Sequence, residues 1–135
     1  MKNGMQLKKI DGEFSVCQVL DYSQVRLDAR YCFIGKTDAE KSLVCLTADV
    51  PKNTIARDDG WRGFRIEGVL DFALIGILSK ISSILAENGI SIFALSTYNT
   101  DYVLVKRDSY AQALAILARA GYAIVEDEQT EEMEA

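Results

Sequence analysis

The sequence predicts an α+β fold whose second half runs strand, helix, strand, strand, helix, strand. Three observations carry this: short stretches in which apolar residues alternate, two longer stretches with helical spacing, and a glycine that closes each helical stretch. The elements follow in chain order. In residues 61–70, Phe64 and Ile66 alternate with Arg65 and Glu67, the pattern of a half-buried strand. A loop over 71–73 leads into a helix in which Leu74, Leu78, Ile81 and Leu85 share one stripe, while Ser79, Lys80, Ser83 and Glu87 point elsewhere. Asn88 and Gly89 end it, because glycine accepts the left-handed conformation of a helix stop. Residues 90–97 and 102–106 read as strands joined by a turn over 98–101. A second helix starts near Ser109, which has capping-box spacing with Gln112, and Tyr110, Ala113, Leu114 and Leu117 form its apolar face. Gly121 stops it, and 122–125 make a last strand. The order βαββαβ is the ferredoxin-like arrangement.

The strands at 90–95 and 102–105 are apolar on both faces. A ferredoxin-like sheet carries helices on one face only, so another segment or another subunit is expected on the second face. A homodimer is the expectation.

The first half reads as a degenerate copy of the second. At an offset of 60, residues 33–45 (FIGKTDAEKSLVC) lie over 93–105 (FALSTYNTDYVLV), each a strand, a polar turn and an apolar strand. Opening strands are expected at 6–10 and 14–20. Residues 21–30 are too short and polar for a crossover helix, and 51–60 read as a linker. The chain is thus divided into a module over 1–58, a module over 59–125 and an acidic, disordered tail over 126–135.

Composition narrows the chemistry. The chain has 135 residues, 49% hydrophobic and 26% charged, enough to bury a core without disulfides or metal. It has no histidine, which removes Ser-His-Asp and Cys-His nucleophile pairs and imidazole metal ligands. The net charge of −5 comes from the tail EDEQTEEMEA; residues 1–125 carry 15 basic and 14 acidic side chains. That near-neutral body lacks the positive footprint needed to bind a phosphate backbone. No apolar run reaches a membrane span, and the start has no secretory h-region, so the expected location is the cytoplasm. Cys17, Cys32 and Cys45 lie in apolar, β-branched surroundings without C-x-x-C spacing and read as buried, inert strand cysteines. No metal or cofactor is expected.

The loop ending at Gly76 is the candidate binding element. Free amides at a helix start favour an anion such as a carboxylate, and Gly76 lets a ligand approach the backbone. Asp71 and Asp101 lie beside strand ends, where either could meet an ammonium group, with Ser96, Thr97 and Thr100 adding hydroxyls. A structural reading competes: Asp71 as a helix cap, Asp101 as a turn residue, Gly76 as relief for tight packing.

The stretch EGVLDFALIGILSKISSILAENGISIFALSTYNTDYVLV (residues 67–105) resembles the C-terminal module of small ACT-domain proteins and is similar to the amino-acid-sensing modules of the CASTOR arginine sensors. Its most specific pieces are GIL at 76–78 and STYNTD at 96–101; EKSLVC at 40–45 resembles the first module of the same proteins. The resemblance covers 14–125 and implies an amino-acid-binding regulatory protein with two ACT-like modules and a ligand between them. It carries the pocket onto Asp71, Leu74, Gly76 and Ile77, then Thr97, Tyr98, Thr100 and Asp101, then Ser42 and Leu43. Asp101 would accept the α-ammonium, and the amides around Gly76 would hold the carboxylate. Leu74 stands where the arginine-sensing relatives place an acid. A guanidinium facing leucine would be unpaired, which argues for a small or apolar amino acid.

Three other functions compete with a sensor. A small ferredoxin-like enzyme would need Asp71 or Asp101 as its acid or base, with no credible nucleophile beside it. An RNA-recognition motif would need a basic and aromatic third strand, where this chain has TDYVLVKRD. A structural dimerisation module would have no small-molecule pocket. The sensor's output protein is not named by the sequence.

Overall fold

The computed structural model describes residues 5–67 and 76–127. It contains seven strands and two α-helices among them: β1 (Gln6–Val19), β2 (Cys32–Lys36), β3 (Lys41–Leu46), β4 (Thr54–Glu67), α1 (Ile77–Glu87), β5 (Phe93–Ser96), β6 (Asp101–Lys106), α2 (Arg107–Arg119) and β7 (Ala123–Val125). The chain divides into two compact units, one over Gly12–Trp61 and one that joins the first eleven residues to those from Arg62 onward. This differs from a division at 58/59, because the first half of β1 belongs with the second unit.

In the unit from Arg62 onward, β7 pairs in parallel with β1, and the strand order continues through β4 and β6 to β5. From the end of β4 the element order is the expected βαββαβ. The core forms where the helices pack on the strands: Leu7, Phe64, Ile66, Ile81, Leu85, Val103, Val105, Ala113 and Leu117 belong to one buried cluster. Of the expected stripe on α1, Ile81 and Leu85 are buried, Leu78 is half-buried and Leu74 lies outside the described residues, while on α2 Tyr110, Ala113, Leu114 and Leu117 are all buried. Both helices also stop as expected. The Ile90 amide bonds to the Leu85 carbonyl (2.9 Å) and the Tyr122 amide to the Leu117 carbonyl (3.1 Å).

In the Gly12–Trp61 unit the order is β2-β3-β1-β4. No helix joins β1 to β2; the segment between them is a run of turns, as its polarity predicts. Its core is small, with Cys17, Val19, Leu43 and Cys45 buried and Tyr22, Val25, Cys32 and Val50 packed against them. Ser15, fully buried, donates to Asp59 Oδ1 (2.5 Å) and shares a hydrogen bond with Thr47 Oγ1 (2.8 Å).

The repeat at an offset of 60 is visible in the strand pairing. Phe33 lies opposite Val44 and Phe93 opposite Leu104, while Lys36 faces Lys41 and Ser96 faces Asp101. The element after each hairpin also starts in register, a 3₁₀ turn at Thr47 and α2 at Arg107.

Several expectations are corrected. The strands expected at 6–10 and 14–20 are one strand, because Gly12 takes φ +93° and lets the backbone continue through the polar Asp-Gly-Glu stretch. The expected linker over 51–60 is mostly strand, since β4 starts at Thr54; its residues are polar because Ile55 to Asp59 are exposed. The helix near Ser109 starts at Arg107, with Lys106 at the N-cap and no side-chain capping bond there, so the Ser109–Gln112 capping box does not form. The acidic tail does not begin at 126. Glu126 pairs with Lys9 (3.5 Å), and Asp127 is fully buried, accepting the Asp11 amide (2.9 Å); residues 128–135 lie outside the described chain. On the second face of β6, Leu104 is 0% exposed, whereas Tyr102 is half-buried and Lys106 exposed.

Candidate functional site

The β5–β6 turn is built by its threonines. The Thr97 amide donates to the Thr100 carbonyl (2.9 Å), and Thr97 Oγ1 donates to the same carbonyl (3.0 Å). Thr100 Oγ1 in turn donates to the Ile66 carbonyl (2.5 Å), tying the turn to the last residues of β4. The strand register then puts Ser96 opposite Asp101, and Ser96 Oγ donates to Asp101 Oδ1 (2.7 Å). Asp101 is half-buried at the mouth of the hairpin, and its carboxylate has further acceptor capacity for an ammonium. Tyr98, at the tip, is fully exposed.

Among the described residues α1 opens without a side-chain cap. Gly76 has φ +79°, its N-cap role makes no side-chain hydrogen bond, and the first turn holds no acidic residue. The first helical bond runs from the Lys80 amide to the Gly76 carbonyl (2.9 Å), which leaves the amides of the first turn without helical acceptors. A Cβ at Gly76 would meet nothing within 4 Å, so the requirement for glycine here is the left-handed backbone and not a crowded neighbour. Packing relief is therefore set aside as its role. Ile77 follows, half-buried against the helix-side core. Asp71 and Leu74 lie outside the described residues.

The expected pocket residues thus fall into two groups. Gly76, Ile77, Thr97, Tyr98, Thr100 and Asp101 belong to one unit, and Ser42 and Leu43 to the other. Within its own unit Leu43 is core, 1% exposed. The Ser42 hydroxyl bonds to Glu40 and its carbonyl accepts Tyr22 Oη (3.0 Å). Sequence reasoning missed the anchoring of the turn through the Ile66 carbonyl, for which a sequence has no signal, since any residue supplies that acceptor. It also missed an open groove of about 640 Å³ beside α1, lined by Ser82, Ser83, Ala86 and residues 89–92. That groove offers hydroxyls but no charged group, so it has nothing to pair with either end of a zwitterion.

Burial raises one titratable group strongly in each unit. It pushes the Tyr110 hydroxyl up to about 12, where Tyr110 Oη donates to the Gly63 carbonyl (2.7 Å) and the Arg62 guanidinium lies over its ring. It pushes the Cys45 thiol up to about 12 as well. No group of three or more metal-ligating side chains exists among the described residues. No described helix is long and apolar enough to cross a membrane.

Comparison with known proteins agrees with the fold. An ACT-domain family model matches residues 56–119. Protein Atu0741 from Agrobacterium tumefaciens is 30% identical, with 91% of this chain and 93% of that one covered at a TM-score of 0.78. This chain belongs to the same family as Atu0741. The aspartate kinase of Clostridium acetobutylicum is similar in structure at 14% identity and a TM-score of 0.62, over 89% of this chain and 34% of the kinase. The regulatory subunit of aspartate kinase from Thermus thermophilus, at 12% identity and a TM-score of 0.55, covers 88% of this chain and 97% of its own. Among curated proteins none matches in sequence. The Atu0741 relative thus carries an ACT-domain fold shared with kinase regulatory regions, and the likeness to the CASTOR modules rests on the sequence pieces alone.

Proposed function

We propose that this Atu0741 relative is a regulatory, non-catalytic amino-acid-binding protein of the cytoplasm that acts as a homodimer on a partner protein. The observation that carries this reading is the uncapped start of α1 in an ACT domain. Gly76 holds a left-handed turn, and among the described residues no side-chain cap and no acidic residue stands at the first turn. A ligand carboxylate would accept from those amides and gain from the positive end of the helix dipole. The half-buried Asp101 carboxylate would accept the α-ammonium, and Thr97 and Thr100 hold its hairpin in place. Asp71, Leu74, Ile77, Tyr98, Ser42 and Leu43 join the proposal through the resemblance alone, as does a ligand shared between two modules. A leucine at position 74 favours a small or apolar side chain on the ligand. Binding would act on the partner only through different affinities for two conformations of the protein.

A thermal-shift screen of the full chain against all twenty amino acids at millimolar concentration tests this. A ligand present at 100 times its Kd adds about 2.7 kcal/mol. One selective shift, for a small or apolar amino acid, is expected. A flat panel would leave a dimerisation module or a ligand of another class, and turnover of a bound amino acid would show an enzyme instead.

A further inference from the structure

The three cysteines meet on one face of the Gly12–Trp61 unit. Cys32 lies directly opposite Cys45 on the β2–β3 hairpin, and both pack in the same small core as Cys17. The type of that pairing follows from the turn. The Thr37 amide donates to the Glu40 carbonyl (2.9 Å), so 37 and 40 are a hydrogen-bonded pair. Hydrogen-bonded and non-hydrogen-bonded pairs alternate along an antiparallel ladder. The register Lys36–Lys41, Gly35–Ser42, Ile34–Leu43, Phe33–Val44 then makes Cys32–Cys45 a non-hydrogen-bonded pair. In such a pair the Cα atoms are about 4.5 Å apart and the side chains stand closest. Disulfides span Cα separations of about 4.4–6.8 Å, so this pair closes without backbone movement.

Cys17 is placed differently. It faces Leu43, while Ser15 faces Cys45, so Cys17 is only a diagonal neighbour of Cys45. Diagonal neighbours lie about 7–8 Å apart, with their Cβ atoms somewhat closer but still beyond the roughly 4 Å that a disulfide needs. All three thiols are free. Cys17 and Cys45 are buried, whereas Cys32 is half-buried on β2, which among the described residues pairs with β3 alone and is an edge strand.

We propose that Cys32 and Cys45 are an oxidation site, closing into a cross-strand disulfide that fastens edge strand β2 to β3. With a peroxide as oxidant, the O–O bond breaks as the accessible Cys32 sulfur becomes a sulfenic acid and one water leaves. The Cys45 sulfur then displaces the sulfenic oxygen, the S–S bond forms, and the oxygen leaves as a second water. Burial holds both thiols protonated, so closing is slow, and the bond is equally shielded from reduction once made. The proposal does not rest on the reading of amino-acid binding.

The test is peptide mapping of the folded full chain after exposure to hydrogen peroxide, with unreacted thiols alkylated on unfolding and no reductant added. The expected product is one linked pair of peptides, Cys32 to Cys45, lighter by two hydrogen atoms than its reduced form, with Cys17 alkylated. Cys17→Ala should give the same link, and Cys32→Ser, at a half-buried position that tolerates a hydroxyl, should give none. A Cys17–Cys45 link overturns the proposal. So does oxidation of Cys32 to a sulfinic acid while Cys45 remains alkylatable, or the absence of any linked peptide.

Discussion

The hairpins β2–β3 and β5–β6 are built on the same turn. In each, a threonine amide donates to the carbonyl three residues on, at 2.9 Å, and the threonine hydroxyl holds the turn from inside. What surrounds them differs. β5–β6 lies between α1 and α2 in chain order and shares a core of fifteen buried residues. β2–β3 follows a run of turns, leads into a three-residue 3₁₀ helix, and belongs to a core with four buried members. The charge at the hairpin mouth differs too. Asp101 opens β6, where Lys41 opens β3. A turn therefore persists on local hydrogen bonds alone. The proposed binding element needs the helix start and the carboxylate as well, and among the described residues only the helix-bearing unit has both.

The largest expected break in this comparison lies in the cores. Leu117→Ala should cost about 2–5 kcal/mol, because a fully buried leucine leaves a cavity that the other fourteen buried members of its cluster cannot fully close. Leu43→Ala should fall at the low end of that range, about 2 kcal/mol, since its smaller cluster can collapse more easily. Urea unfolding of both variants measures this, and a larger loss for Leu43→Ala would reverse the ranking.

Alkaline titration sharpens the same contrast with one group in each unit. The Tyr110 hydroxyl is raised from 10.0 and the Cys45 thiol from 9.0, each to about 12. Both are acids whose neutral form the fold favours. Their stabilisation is full below the unfolded values and is lost as the pH rises from about 9–10 through 12. Tyr110→Phe should lower stability at neutral pH by about 1 kcal/mol, for the lost bond to Gly63, and should flatten the alkaline loss. An unchanged alkaline limb would assign that loss elsewhere.

The order of elements along the second half and both apolar helix faces were legible in the sequence because they depend on periodicity, and so was the repeat, because Phe33, Thr37, Phe93 and Thr97 mark equivalent places. The path of β1 through Gly12 was not. A polar Asp-Gly-Glu stretch reads as a break, and only the backbone shows that glycine carries the strand onward. Residues 54–60 misled for the related reason that an exposed strand has the composition of a linker. At the site, Gly76, Thr97 and Asp101 stood out by residue type, whereas the Ile66 carbonyl that anchors Thr100 has no side-chain signature.

The smallest expected effect tests the equivalence of the turns. Thr97→Val and Thr37→Val should each cost about 0.5–1 kcal/mol, since each removes hydroxyl bonds from an exposed turn. Matching losses in thermal unfolding support one shared turn design, and a twofold difference would separate them.

The most direct measurement is calorimetric titration of the amino acid selected by the thermal-shift screen into the full chain, Asp101→Ala and Lys41→Ala. Asp101→Ala should bind at least about tenfold more weakly while keeping its fold, because a charge-assisted hydrogen bond contributes about 1.5–3 kcal/mol. Lys41→Ala should bind like the unaltered chain. Equal affinity for Asp101→Ala and the unaltered chain would contradict a binding element built on β6 and the start of α1.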